Sequence, residues 1–437
     1  MTLKNSLLLM LAVIAGTGCC SKNPSETQQG RLLGVVTFED QQDHSGIVVL
    51  IRELNAQTST STDGGYTFSS VPAGTYTLTA SDGDTTRRLY DFSTAGNVSV
   101  ASGRDNTAPP MELPRFQQIQ NDITGQVTWT AQGGPYLVTR SITVQPGARL
   151  RIEPGTVIKF SDYYRLTVLG QIAAKGSPAD SIDFTTVNIE GVPGDWDRIS
   201  LQGPKTAPDT LCYCRMRYAN IGAAATHASP AIYRNTIDGC ASFGLVFSAG
   251  TPRVRHNLLE ENFGGISCES GSAGLIQSNI IQRNETAGIS CSGSHPEIRD
   301  NHIAQNERGL MIKSESHPLV WHNLFLENDD AVYMFYYCRP QVEANQISGQ
   351  LRYGFHLVGY NQPEIHFNNM IQNGSSLVHL KDQSQDILAQ NNWWDTVDLD
   401  QISAQIWDGQ DDGRLGMVLL DPILSAPVDT AGPVTDP

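Results

Sequence analysis

The chain is short of positive charge, of paired cysteines and of long apolar runs. Its 29 lysines and arginines stand against 45 aspartates and glutamates, a formal net charge of −16. No basic stripe offsets that balance, so nucleic acid is excluded as the expected partner. Neutral glycans or cations are compatible with it. Of eight cysteines, none form a zinc-type C-x-x-C pair. The single long apolar stretch is "SLLLMLAVIAG" near the start, too short to span a bilayer as a mature helix. No stretch of the repeats described below keeps the 3.6-residue period that a helical repeat demands. What is present points to strands: 39% hydrophobic residues, 17% charged, 40 glycines and many Asn, Ser and Thr. At 437 residues there is room for two or three domains.

The N-terminus reads as an export signal, with Lys4 as its positive region. It ends in "GTGCC", which resembles a bacterial lipobox, with Cys19 as the residue that would be lipidated; Gly16 departs from the usual pattern. The expectation is residues 1–19 as signal peptide and 20–30 as a polar tether. That makes the protein exported, held at the membrane only by a lipid, in the outer membrane, the periplasm or at the cell surface.

Residues 31–103 form a short all-β unit. "LLGVVTF", "GIVVLIREL", "YTFSSV" and "TYTLTAS" are rich in β-branched and aromatic residues. Gly64 and Gly65 suit a hairpin needing positive φ. "TSTDGGYTFSSVPAGTYTLTA" resembles the carboxypeptidase regulatory-like domain, which implies a small transthyretin-like β-sandwich acting as a spacer or adhesive module. Residues 104–118 read as a linker by composition.

The rest is a repeat. Asn235, Asn257, Asn279, Asn301, Asn323, Asn345, Asn368 and Asn391 are spaced by 22 residues five times and then by 23 twice. Proline stands five residues before six of them, and a second polar column follows at Cys240, Asn262, Asn284, Asn306, Asn328, Gln350 and Asn373. Small residues recur at Gly244, Gly265, Gly288, Gly309, Ala331 and Gly354. A period this short, holding three short strands, fits a parallel β-helix whose coils stack at about 4.8 Å. Inward asparagines at one corner then bond the coils above and below, which spares each buried amide a cost of roughly 1–3 kcal/mol. Cys268 and Cys291 fall at one inward position in adjacent coils and read as small core fillers, with a disulfide between them left open.

"SITVQPGARLRIEPGTVIKFSDYYRLTVLGQIAAKGSPADSIDFTT" with Trp196, and the closing "NNWWDT" and "DPIL", resemble right-handed parallel β-helix proteins of the pectin-lyase-like superfamily. The expected fold class is therefore all-β: a right-handed parallel β-helix over 119–425, preceded by the small sandwich and followed by a tail at 426–437. Fold does not carry function here. The polygalacturonase-type signatures are missing, and Glu269 stands among serines rather than in the carboxylate cluster a pectate-lyase-like calcium site needs.

The repeat assigns outward columns. On the strand after glycine they read Val246, Ser267, Ser290, Met311, Tyr333, His356, Val378 and Ser248, Glu269, Ser292, Lys313, Phe335, Val358, Leu380. Three constellations stand out. Tyr333, Phe335, Tyr336, Tyr337 and His356, with Trp321 as a further platform, form an aromatic surface suited to the CH face of a sugar, or a cover for a neighbouring loop. Glu343, Glu364 and His366 lie on the strand after proline, with the two carboxylates about 6–9 Å apart by strand spacing. That separation suits inverting glycoside hydrolysis, or simply a solvated sheet face. Glu285, Glu307 and Asp329 stack in consecutive coils, where Ca²⁺, or Arg308 and Arg352, would relieve their repulsion. "DGQDDG" at 408–413 lacks a closing Glu and reads as a polar turn. The leading expectation is a protein that presents a β-helix surface to glycans or other envelope components. The alternative is a polysaccharide-active hydrolase or lyase.

Overall fold

The computed structural model describes residues 29–84 and 88–434. The chain divides after Pro114 into two compact units. The signal segment, Cys19 and most of the tether lie outside the described residues. Among the described residues no helix is long and apolar enough to cross a membrane.

The first unit has two four-stranded sheets. In one, the long strand Gln29–Phe38 pairs antiparallel with Gly65–Pro72 and parallel with Asp105–Thr107 and Met111–Leu113. The other runs Ala56–Ser59, Val48–Ile51, Gly74–Ser81, Ser93–Val100, all antiparallel. Alternate residues such as Val49 and Ile51 point into one core with Leu32, Val36, Leu78 and Leu113. Gly64 turns a corner at φ 82°, and Asp63 Oδ1 accepts the next amide, from Gly65, at 3.1 Å. Residues 104–118, expected as a linker, include the strands Asp105–Thr107 and Met111–Leu113 and the start of Gln117–Ile119. Met111 and Leu113 face this core, and Gln117–Ile119 already pairs within the second unit. Their prolines and polar neighbours disguised a short apolar alternation.

The second unit is a parallel β-helix. Three sheets run its length: one of thirteen strands, including the six that open after proline, one of twelve, including the seven that follow a ladder asparagine, and one of twelve that includes the strands with the recurring small residue, here the first, second and third sheets. One coil shows the logic. Leu319–Trp321, Leu324–Leu326 and Asp330–Phe335 lie in the first, second and third sheets, and Val320, Phe325, Val332 and Met334 point inward. The inward columns are apolar, mostly aliphatic or aromatic with Cys268 and Cys291 among them, so every strand buries one face against the other two sheets.

Asparagine ladders close the corners. Asn279 Oδ1 accepts the backbone and side-chain amides of Asn257, and Asn301 does the same for Asn279. The series runs from Asn235 through Asn368 and ends on Asn392, not Asn391. The residue before each ladder amide turns the corner at positive φ, among them Asp300 at 56° and Ala344 at 50°. Asn391, at φ 56°, is such a corner residue. The second ladder holds as expected, from Cys240 through Gln350 to Asn373. A third corner, not foreseen, is closed by Ser316, Asn361 and Gln383, which accept the amides of Ser294, Cys338 and Asn361.

The recurring glycines are a packing requirement. A Cβ on Gly265 would stand 2.3 Å from the Gly288 carbonyl oxygen and 2.6 Å from Ile281 Cγ2. The six cysteines among the described residues, all in the second unit, are free and buried. Cys268 and Cys291 sit in register without a bond between them, and burial pushes the Cys268 thiol up to about 12 and Cys291 up as well. Finally, residues 424–434 fold back along the coils. Leu424 N–H donates to Asn392 O, Asn369 exchanges two hydrogen bonds with Val428, Gly432 N–H reaches Ala344 O, and Val434 N–H reaches Asp300 Oδ1.

Candidate functional site

The outer face of the third sheet changes character along the solenoid. Its central column reads Val246, Ser267, Ser290, Met311, Tyr333, His356, His379, Trp407 in strand register. Val378 and Leu380, expected on the outward columns, are buried, and His379 and Lys381 take those places. The coil after His356 is one residue longer than the founding period, so a 22-residue step lands on the inward neighbours.

At about 4.8 Å per coil, aromatic residues in one column must touch. Tyr333 lies 5.0 Å from His356, edge to face, and Tyr353 lies 4.8 Å from His356. His379 stacks on Tyr353 at 4.6 Å and 19°, and parallels Trp407 at 6.2 Å. Arg308 caps Tyr333 with its guanidinium carbon 4.5 Å from the ring centroid.

Under these rings lies a carboxylate. Asp330 opens its strand between Arg308 and Tyr353 and is only 1% exposed. Its Oδ2 stands 3.1 Å from His356 Nδ1. Because a carboxylate only accepts, Nδ1 carries the proton. Arg352 Nε stands 3.4 Å from Oδ1, near enough for an ion pair though not aligned as a hydrogen bond. Burial of a charge without such partners would cost several kcal/mol. The other imidazole nitrogen, His356 Nε2, is buried with no hydrogen-bond partner. Burial and the neighbouring His356 hold the His379 imidazole below its ordinary 6.5, and burial pushes the Tyr333 phenol up.

A ridge of rings runs from this column to the turn that leads into the first sheet. Phe335, Tyr336, Tyr337 and Tyr360 are all exposed, Tyr337 by 55%. Tyr336 meets Phe335 edge to face at 4.4 Å, and Tyr337 stacks on Tyr360 at 5.7 Å and 16°. Just past the ridge, on the first sheet, is a hollow of about 720 Å³ lined by Leu319, Arg339, Gln341, Gln362, Glu364 and Leu388, among others.

The expected aromatic set is thus partly assembled. Tyr333, Phe335, Tyr336, Tyr337 and His356 form one continuous surface, while Trp321 lies on the first sheet under the Arg299 guanidinium, 5.3 Å away. The expected acid–base set stays on one patch of the first sheet, with Glu364 two residues before His366 on the same strand. Glu343 pairs with His366 in register, but His366 Nδ1 is occupied by Gln390 O at 3.0 Å. Glu364 lines the hollow, which neither of the others lines, and takes a hydrogen bond from Gln341. The carboxylate stack is not a metal cage. Arg308 pairs with Glu307 at 3.1 Å, Arg352 approaches Asp329 at 3.7 Å, and Glu285 is exposed. Among the described residues no group of three or more His, Cys, Asp or Glu is placed to hold a metal ion. Asp408 in the "DGQDDG" turn accepts the amides of Gln410 and Val418, so that turn closes on itself.

Sequence reasoning missed Asp330, Tyr353, Tyr360, His379 and Trp407. Tyr360 and His379 were within reach, each lying 23 residues beyond Tyr337 and His356. Trp407 was not, because residues 389–405 interrupt the period between its strand and the previous one.

Residues 264–394 match a family model described as a right handed beta helix region. That segment contains the entire ridge and the Asp330–His356 pair. A stretch of 94 residues, 20% of this chain, is 34% identical to the protein named Protein bark beetle of Drosophila melanogaster. It covers only 3% of that relative's length. No solved structure matches significantly. The repeat architecture read from the asparagine spacing and the matched family agree: residues 264–394 are a β-helix repeat.

Proposed function

We propose that this is an exported, lipid-anchored envelope protein whose β-helix binds glycans along its lateral face, with the N-terminal unit serving as a sandwich-type spacer of the carboxypeptidase regulatory-like kind. The supporting observation is the exposed stack of Tyr337 on Tyr360, continuous with Tyr336, Phe335 and Tyr333. Flat rings at coil spacing offer successive platforms to the CH faces of a sugar chain, and the adjoining hollow supplies Arg339, Gln341, Gln362 and Glu364 for hydroxyl groups. Two platforms at roughly 1 kcal/mol each imply that the double variant Tyr337→Ala, Tyr360→Ala binds about thirtyfold more weakly. A glycan array followed by titration of the retained glycan tests this. No retained glycan, or unchanged affinity in the double variant, would reject the reading.

The second reading, a polysaccharide-active hydrolase or lyase, draws support from the Asp330–His356 pair beside that surface. Incubation with the retained glycan and assay for reducing ends and unsaturated products decides between binding and turnover. Product lost in His356→Gln would favour the enzyme.

A further inference from the structure

The Tyr353–His379–Trp407 stack joins three consecutive strands of the third sheet. We infer that His379 is an acid-operated latch: taking up a proton opens this stack and weakens the hold of the face on its ligand. The consequence for affinity rests on the glycan reading, whereas the opening of the rings does not.

The argument begins with what surrounds the ring. His379 is partly buried between two flat aromatic faces, Tyr353 at 4.6 Å and Trp407 at 6.2 Å. From the strand Tyr353–Val358 it also meets His356, centroids 5.4 Å apart. From the strand Asp330–Phe335, Asp330 is the acid within reach, but its oxygens already face His356 and Arg352. On its own strand Lys381 adds positive charge two residues on. On the Trp407 side the next residue, Asp408, is turned to backbone amides of its own loop. A proton on His379 therefore arrives where water is scarce, one imidazole and one ammonium are near, and the single carboxylate is shared.

These surroundings favour the neutral ring, in line with the lowered pKa. A group depressed in the folded protein contributes stability that is present above its unfolded value and is lost as pH falls through the folded one. The stack is thus closed at neutral pH and opens below the ordinary histidine range. His356 differs: its Nδ1 is already a donor to Asp330, so its ring stays fixed.

The test uses the full chain. Tryptophan emission and imidazole proton signals are followed from about pH 8 to about pH 5, with far-ultraviolet dichroism recorded alongside. The expected result is an emission change with a midpoint below 6.5, the ordinary histidine value, at constant dichroism. It should vanish in Trp407→Phe and in His379→Gln. In His356→Gln the midpoint should rise, because the neighbouring imidazole that opposes the proton is gone and Asp330 is freed. A midpoint at or above 6.5, a change that survives His379→Gln, or one that coincides with unfolding would overturn the latch. The same glycan array read at about pH 7.5 and about pH 5 should show the wild type losing roughly tenfold affinity, a difference of about 1.4 kcal/mol, while His379→Gln gives equal signals at both. Equal wild-type signals at both values would reject the coupling to ligand. An array blank at every pH with the emission change intact would reject the glycan reading and leave the latch standing.

Discussion

Removing one rung from the middle of the first ladder should cost more than removing an end rung. Asn301 is fully buried, and its side chain takes part in five hydrogen bonds. Its Nδ2 donates to Ile276 O, Arg299 O and Asn323 Oδ1, each at 2.9 Å, and its Oδ1 accepts both amides of Asn279. The two Nδ2 protons are shared among three acceptors, so four full bonds at a net ~1 kcal/mol each make Asn301→Ala destabilising by about 4 kcal/mol. Asn235, at the end of the series, makes three such bonds with its side chain, to Cys214 N, Leu211 O and Asn257 Oδ1. Asn235→Ala should therefore cost about 3 kcal/mol, and exposed Asn188→Ala close to nothing. Coils touch only their neighbours, so urea unfolding should be read together with amide exchange at Asn279 and Asn323. A cost for Asn301→Ala below ~1.5 kcal/mol, or no greater than for Asn235→Ala, would refute the ladder as the source of corner stability.

Gly265→Ala would drive a methyl group onto the Gly288 carbonyl and Ile281, and should lower stability by about 3 kcal/mol in the same assay. Asp330→Asn takes away the charge that Arg352 and His356 share, so a loss of about 3 kcal/mol is expected, with the His356 signals shifted in the proton spectrum. The buried thiols, raised to about 12 at Cys268 and Cys240 and about 11 at Cys338, should react with a thiol reagent about a hundredfold more slowly in the native protein than in urea. Fast labelling of the native chain would show that coils open locally.

The coil, its three sheets and two of its three polar corners were legible because an asparagine buried at a corner tolerates few replacements. Asn257, Asn279, Asn301 and Asn323 repeat without exception for that reason. The third corner was harder to read. Ser316, Asn361 and Gln383 do one job with three side chains of different length, because there the accepting atom matters more than the residue type. The site was legible only in part. Tyr333 and His356, 23 residues apart, could be assigned to a face, but a 22-residue step from His356 lands on Val378, where the strands keep 23 and bring His379 into register. Asp330 was unreadable as part of the candidate site, since its position in the repeat says nothing of burial. Rings contributed by other coils are what cover it.

The backward run of residues 424–434 has a mechanical meaning. A pull on the C-terminal segment would not reach the last coil first, because Val434 and Gly432 are fastened to Asp300 and Ala344, several coils upstream. Tension would load those bonds and the paired Asn369–Val428 contacts in sequence before any strand could be peeled from the end of the stack. Force applied at that end would leave the terminal coils wound until the seam had come undone.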